Sequence, residues 1–211
     1  MLKSFEEVLE RAIHYGPKII SVAVSQAEDV MEAVEMARKM GLVNGILVGD
    51  EKETIKICNK LNINPQNYEF IHEPDNNEAA RKAVQLVSGG KAELLMKGFL
   101  STSLILKAVL DKEIGLRTKQ LLSHAYVLKI KNYEKLLTVT DAAMNIAPNL
   151  EQKAQILQNV IDFCHCLEIE QPKIAVLAAI EMVNLHMQAT MDAACLSKMA
   201  ERGQIVGGVV D

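Results

Sequence analysis

Ile19 to Asp50 reads IISVAVSQAEDVMEAVEMARKMGLVNGILVGD, and its two apolar ends and periodic middle decide the fold class. Ile19–Val24 is a short apolar run of β type. Val30, Ala33, Val34 and Ala37 then fall at i, i+3, i+4 and i+7, the stripe of an amphipathic helix. Gly41 stands where a helix C-cap falls, and Gly45–Asp50 reads as a second strand. Two strands separated by a single helix cannot pair as a hairpin. They form a βαβ crossover and hence a parallel sheet covered on both faces.

The same alternation runs on. Glu51–Leu61 predicts a second helix and Tyr68–His72 a third strand. Ala80, Ala83, Val84 and Val87 mark a third helix that Gly89-Gly90 ends, Glu93–Met96 a fourth strand, and Ser101–Leu110 a fourth helix. The pattern changes after Gly115. Leu121–Ile130 and Leu136–Asp141 are strand-like runs with only Lys131–Glu134 between them, which suits a turn and an antiparallel pair. A helix over Asn149–Leu167, a buried strand over Lys173–Ala179, a helix over Met191–Arg202 and a strand over Ile205–Val210 complete the reading. It divides into a first α/β lobe, residues 1–116, and a second, residues 117–211.

Composition narrows the function. Of 211 residues, 49% are hydrophobic, 24% charged and 4% aromatic, with no Trp, so Leu, Ile, Val, Ala and ten Met must fill the interior. A net charge of −4 gives no general attraction for nucleic acid or an anionic membrane, so an anionic ligand must be held by local groups. The longest apolar run, Ile174–Ile180, is too short to span a bilayer. The N-terminal residues carry Glu6 and Glu7 and no signal-peptide apolar core. Cys58, Cys164, Cys166 and Cys195 form no C-x-x-C pair and read as reduced thiols of a cytoplasmic protein.

In open α/β sheets ligands bind at the carboxyl ends of strands, and four segments meet that description. In Met96–Ser103, Gly98 permits close backbone approach, Ser101 or Thr102 is a natural N-cap, and the helix start behind them offers free N–H groups to an anion beside Lys97. From these residues alone an ordinary capped turn with a solvated Lys97 reads slightly better, since no Walker A or G-x-G-x-x-G motif is present. Ser123 and His124 on an apolar strand suit hydrogen bonding or acid–base work, or one of them faces solvent. Asp141 ends a strand and precedes a loop with Asn145. Asn149, with Gln152 three residues on, fits a helix cap. Glu181 and Asp211 follow apolar strands, each bringing a carboxylate to the same sheet edge. Cys164-His165-Cys166 point about 100° apart on a helix and do not suit one metal ion.

Taken in order, Leu95–Ser103, Gly115–Thr118, Leu122–Val127, Thr140–Ile146, Ile174–Ala179, Met191–Ala194 and Gly207–Asp211 are similar to the phosphate acetyl/butyryltransferase family, nearest its butyryl branch. The resemblance implies a two-lobed, three-layer αβα architecture with mostly parallel sheets, like that of isocitrate and isopropylmalate dehydrogenases, and an active site in the cleft between the lobes. It also implies a homo-oligomer that exchanges coenzyme A for inorganic phosphate on a short acyl group, with no bound cofactor or metal. Lys97, Gly98, Ser101, Thr102, Ser103 and Asn145 become the expected substrate-binding residues, and Ser123, His124, Asp141 and Asp211 the candidates for catalysis. Family members typically continue past the position of Asp211 for roughly another third of their length. That part carries a serine–arginine pair and an aspartate with no counterpart here, so a truncated chain is expected. Two other readings stay open: an inactive module binding coenzyme A or acyl phosphate, and a metal-dependent dehydrogenase using Asp141, Glu181 and Asp211.

Overall fold

The computed structural model describes residues 2–211 and is a mixed α/β protein with a mostly parallel central sheet. Two compact units divide it: Glu10–Thr118, and Lys119–Asp211 together with the N-terminal segment through Leu9. Among the described residues no helix is long and apolar enough to cross a membrane.

The chain begins with a helix, α1 (Phe5–Tyr15). Phe5, Val8, Leu9 and Ala12 repeat at helical spacing there, outside the elements expected from the sequence. In Glu10–Thr118 follow β1 (Lys18–Ala23), α2 (Glu28–Lys39), β2 (Val43–Gly49), α3 (Glu51–Lys60), β3 (Glu69–His72), α4 (Asn76–Ser88), β4 (Leu94–Lys97) and α5 (Thr102–Val109). The strands pair in parallel in the order β3-β2-β1-β4. Successive residues of a strand face opposite sides, so the apolar runs of β1 and β2 feed two cores. Ala23, Val24 and Val48 pack with Ala79, Ala80, Ala83 and Val84 of α4 and with Ile105 and Ala108 of α5. Val22 and Leu47 pack with Val30, Met31 and Val34 of α2 and with Cys58 and Tyr68. Both faces of this sheet are covered, as the unbroken apolar strands require.

Helix ends obey local chemistry. Asp50 accepts from the Glu53 amide and Asp75 from those of Asn77 and Glu78. Gly41 and Gly90 follow their helices with φ of +76° and +74°, conformations that L side chains rarely adopt.

The other unit holds β5 (Ala125–Lys129), β6 (Leu136–Thr140), α6 (Leu150–Cys166), β7 (Lys173–Ile174), α7 (Gln188–Glu201) and β8 (Val209–Val210). β5 and β6 form the antiparallel pair that the short connection demands, and β7 and β8 pair in parallel. Leu157 and Ile161 of α6, Leu196 of α7, Ile205 and Val210 make the core. Asn149 and Gln152 form a reciprocal capping box at the start of α6.

Three strands are shorter than the sequence suggests. The run from Leu121 becomes strand only at Ala125, because side chains occupy the main chain of Leu121–His124. The expected buried strand Lys173–Ala179 is strand only over Lys173–Ile174. After Val176, whose N–H donates to Asp211 O, the run finds no main-chain partner among the described residues, and Leu177 is 85% exposed. The last strand starts at Val209, since Gly207 turns the chain with φ +85°.

Candidate active site

The order β3-β2-β1-β4 reverses direction between β1 and β4, and that point is where open α/β sheets leave a crevice at their carboxyl ends. Two loops border it. β1 exits through Val24, a β-branched residue at φ +60°, buried and fixed by its N–H to Val48 O at 2.8 Å. The loop after β4 lies along that exit, with Gly98 N–H to Ala23 O at 2.9 Å and Phe99 N–H to Val24 O at 2.8 Å. A Cβ on Gly98 would sit 2.2 Å from Val24 O and 2.6 Å from Ala23 O, so only glycine allows this approach.

The loop then enters α5. Ser101 is its N-cap, its Oγ accepting from Leu104 N–H at 3.3 Å and lying 3.0 Å from Ser103 Oγ. The Lys97 ammonium donates to Leu100 O at 2.8 Å and to Gly98 O at 3.3 Å, so its charge is held over the loop. Lys97, Gly98, Ser101, Thr102 and Ser103 are thus gathered in one turn, with three exposed hydroxyl-bearing residues at a helix start. Such a turn offers a cation, hydroxyl donors and first-turn N–H groups to an anionic oxygen. Phe99 stands 69% exposed at its tip, a neighbour that sequence reasoning passed over.

Ser123, His124, Asp141 and Asn145 meet in the other unit. Asp141 Oδ1 accepts from the amides of Ala143 at 3.0 Å and Met144 at 2.9 Å, and Oδ2 from Asn145 Nδ2 at 2.5 Å. Burial pushes this carboxyl up, but those amides, the Asn145 side chain and the His124 N–H together leave it below the usual aspartate value. Asn145 Nδ2 also donates to Leu122 O at 3.1 Å, and Thr140 Oγ donates to His124 O at 2.7 Å. The His124 ring packs edge-on against Tyr126, centroids 3.9 Å apart, and no partner for its buried Nδ1 is found among the described residues.

Two residues that the sequence did not single out complete this cluster. On α6, Gln155 Oε1 accepts from Leu121 N–H at 2.8 Å, while Asn159 Nδ2 donates to Leu121 O at 2.8 Å and to Ser123 Oγ at 2.9 Å. Their i, i+4 spacing places both amides on one helix face, a signal available in the sequence but without a target there.

Asp211 and Glu181 are not delivered as a strand-end pair. Asp211 follows β8 and is bonded through its main chain to Ile174 and Val176, whereas Glu181 sits exposed in the loop beyond β7. Among the described residues no three His, Cys, Asp or Glu side chains are grouped to hold a metal ion. An open groove of about 760 Å³ beside α4, bordered by Ile71, Lys82, Leu86 and Gly115, contains none of the residues above. Its Lys82 is already paired with Glu73 at 2.6 Å, and the strand ends carry the better arranged donors.

The family described as Phosphate acetyl/butaryl transferase matches residues 73–211. The phosphate butyryltransferase of Clostridium acetobutylicum is 44% identical over 211 residues, which is all of this chain and 70% of that protein. The phosphate acetyltransferase of Rickettsia felis is 38% identical over 211 residues, covering 99% of this chain and 60% of that protein. Among solved structures, a branched-chain phosphotransacylase from Enterococcus faecalis V583 superposes with a TM-score of 0.79 at 27% identity, covering 92% of this chain and 67% of that one. Fold and relatives define an enzyme of the phosphotransacylase class. The chain belongs to the phosphate acetyl/butaryl transferase family.

Proposed function

We propose that the chain moves a short acyl group, butyryl or a close analogue, between coenzyme A and inorganic phosphate by direct transfer. The observation that carries this reading is the 44% identity to a phosphate butyryltransferase along the whole chain, against 38% for the acetyltransferase. A phosphate oxygen attacks the thioester carbonyl, the C–O bond forms as the C–S bond breaks, and the thiolate leaves with the proton that hydrogenphosphate gives up. The reaction needs donors around the developing oxyanion and a positive, N–H-rich seat for phosphate. The Lys97–Ser103 turn, with its ammonium, hydroxyls and first-turn N–H groups, supplies groups of the second kind. No resident metal or cofactor takes part in this scheme.

Thiol release from butyryl-coenzyme A, followed with and without inorganic phosphate, tests the reading. Release that depends on phosphate is the expected result. A folded chain that binds coenzyme A yet releases no thiol would instead favour the binding-module reading.

A further inference from the structure

The segment Leu121–His124 is held almost entirely by side chains. The N–H and C=O of Leu121 are taken by Gln155 and Asn159 of α6, Leu122 O by Asn145 and His124 O by Thr140. Asp141, which orients Asn145, has both carboxylate oxygens engaged by N–H donors. One polar group in this frame differs from the rest. Ser123 Oγ receives a hydrogen bond from Asn159 Nδ2 at 2.9 Å, and no acceptor for its own proton is found among the described residues.

The direction of that bond is fixed by chemistry. An amide nitrogen carries two hydrogens and offers no lone pair, so Ser123 can only accept from it. The amide orientation is fixed as well, because the same nitrogen donates to Leu121 O at 2.8 Å, and a flipped amide would set two oxygens against each other. Asn159 therefore spends both N–H groups on this segment, and the Ser123 hydroxyl must direct its proton elsewhere.

We propose that Asn159 is a positioning residue that fixes Ser123 as a hydrogen-bond donor to a substrate oxygen, either of phosphate or of the acyl carbonyl. This rests on the acyl-transfer reading above. Asn159 touches no substrate and acts through Ser123 alone. A donated N–H polarises the serine hydroxyl and makes it the better donor in turn, as hydrogen bonds in a chain reinforce one another.

The test is a double-mutant cycle on the full chain, with melting temperature and phosphate-dependent thiol release read for wild type, S123A, N159D and S123A/N159D. Asn159→Asp keeps the size but replaces the donor by a carboxylate that captures the serine proton. The expected loss in kcat/KM is at least tenfold for N159D, similar for S123A, and no larger for the double variant. N159D should also regain activity relative to wild type as pH falls toward the carboxylate range, since the introduced carboxyl donates again once protonated. S123A should show no such recovery. A raised KM for phosphate at constant kcat would support contact with phosphate, and a lowered kcat would support contact with the developing oxyanion. If N159D lowers the melting temperature, the S123A background keeps the test. The same fall in stability with no further fall in rate supports the proposal. Multiplying losses in the double variant overturn it. A folded wild-type chain without phosphate-dependent release overturns the acyl-transfer reading and the proposal together, whereas an active wild type with multiplying losses overturns the proposal alone.

Discussion

Glu35 shows how far one side chain depends on residues distant in the chain. It lies on α2 and is 7% exposed, a poor place for a carboxylate. Arg38 binds it through two nitrogens at 2.7 and 3.0 Å, and Tyr68 Oη donates to it at 2.5 Å. The Arg38 hydrogen bonds, opposed by burial and helped by Tyr68, hold its carboxyl at about 2, down from 4.5. Burial, and then Glu35 itself, push the Tyr68 hydroxyl up. A folded-state value below the unfolded one means that the ionised form stabilises the fold. That contribution is complete above about 4.5 and is lost as pH falls toward about 2. Glu35→Gln should therefore cost on the order of 3 kcal/mol at pH 7, measured by urea unfolding, with a smaller deficit at pH 3. An equal deficit at both pH values would contradict this account. The sequence shows Glu35 one residue away from the Val34 stripe, but Tyr68, which seals it in, stands 33 positions away.

At the scale of elements, α6 does the work of a strand edge with side-chain amides. Gln155 and Asn159 bind Leu121, while Gln158 accepts from Val206 N–H at 3.0 Å and donates to Val206 O at 3.1 Å and to Asp162 at 2.8 Å. This clamp explains why β5 begins at Ala125, since the preceding residues spend their main-chain groups on α6 and on Asn145 instead of a neighbouring strand. It also fixes the approach to β8. Gln158→Ala removes both hydrogen bonds to Val206, and the amides of Val209 and Asp211, bonded to Pro172 O and Ile174 O, should exchange roughly 5–30-fold faster by hydrogen–deuterium measurement. Unchanged exchange there would show that the Val210 side chain in the core suffices. The helix itself was legible from its apolar positions and its Asn149 cap. Its polar face was not, because amides at i, i+3 and i+4 read as a solvated surface until their partners are known.

At the scale of the whole molecule, family membership gives the class of chemistry, and the proposed butyryl reading carries its own prediction. One methylene in an apolar pocket is worth about 1–3 kcal/mol. Butyryl-coenzyme A should therefore exceed acetyl-coenzyme A by roughly tenfold or more in kcat/KM for the same preparation. Equal values for the two would set aside the butyryl assignment while leaving phosphate-dependent transfer intact. The sequence by itself determined the alternation of strands and helices, the parallel sheet of residues 18–97, the βαβ connectivity and the turn between β4 and α5. Those features follow from local periodicity, capping and glycine placement, which act over a few residues. It also carried the family resemblance, because several short blocks in fixed order are specific together. Only the tertiary structure decided where β5, β7 and β8 stop, which face of β1 meets which helices, and that Asn159 holds Ser123. The physical reason is the same throughout: a hydrogen-bonding group chooses its partner by position in space, and these partners lie 36 positions apart in the chain for Asn159 and Ser123 and 48 for Gln158 and Val206.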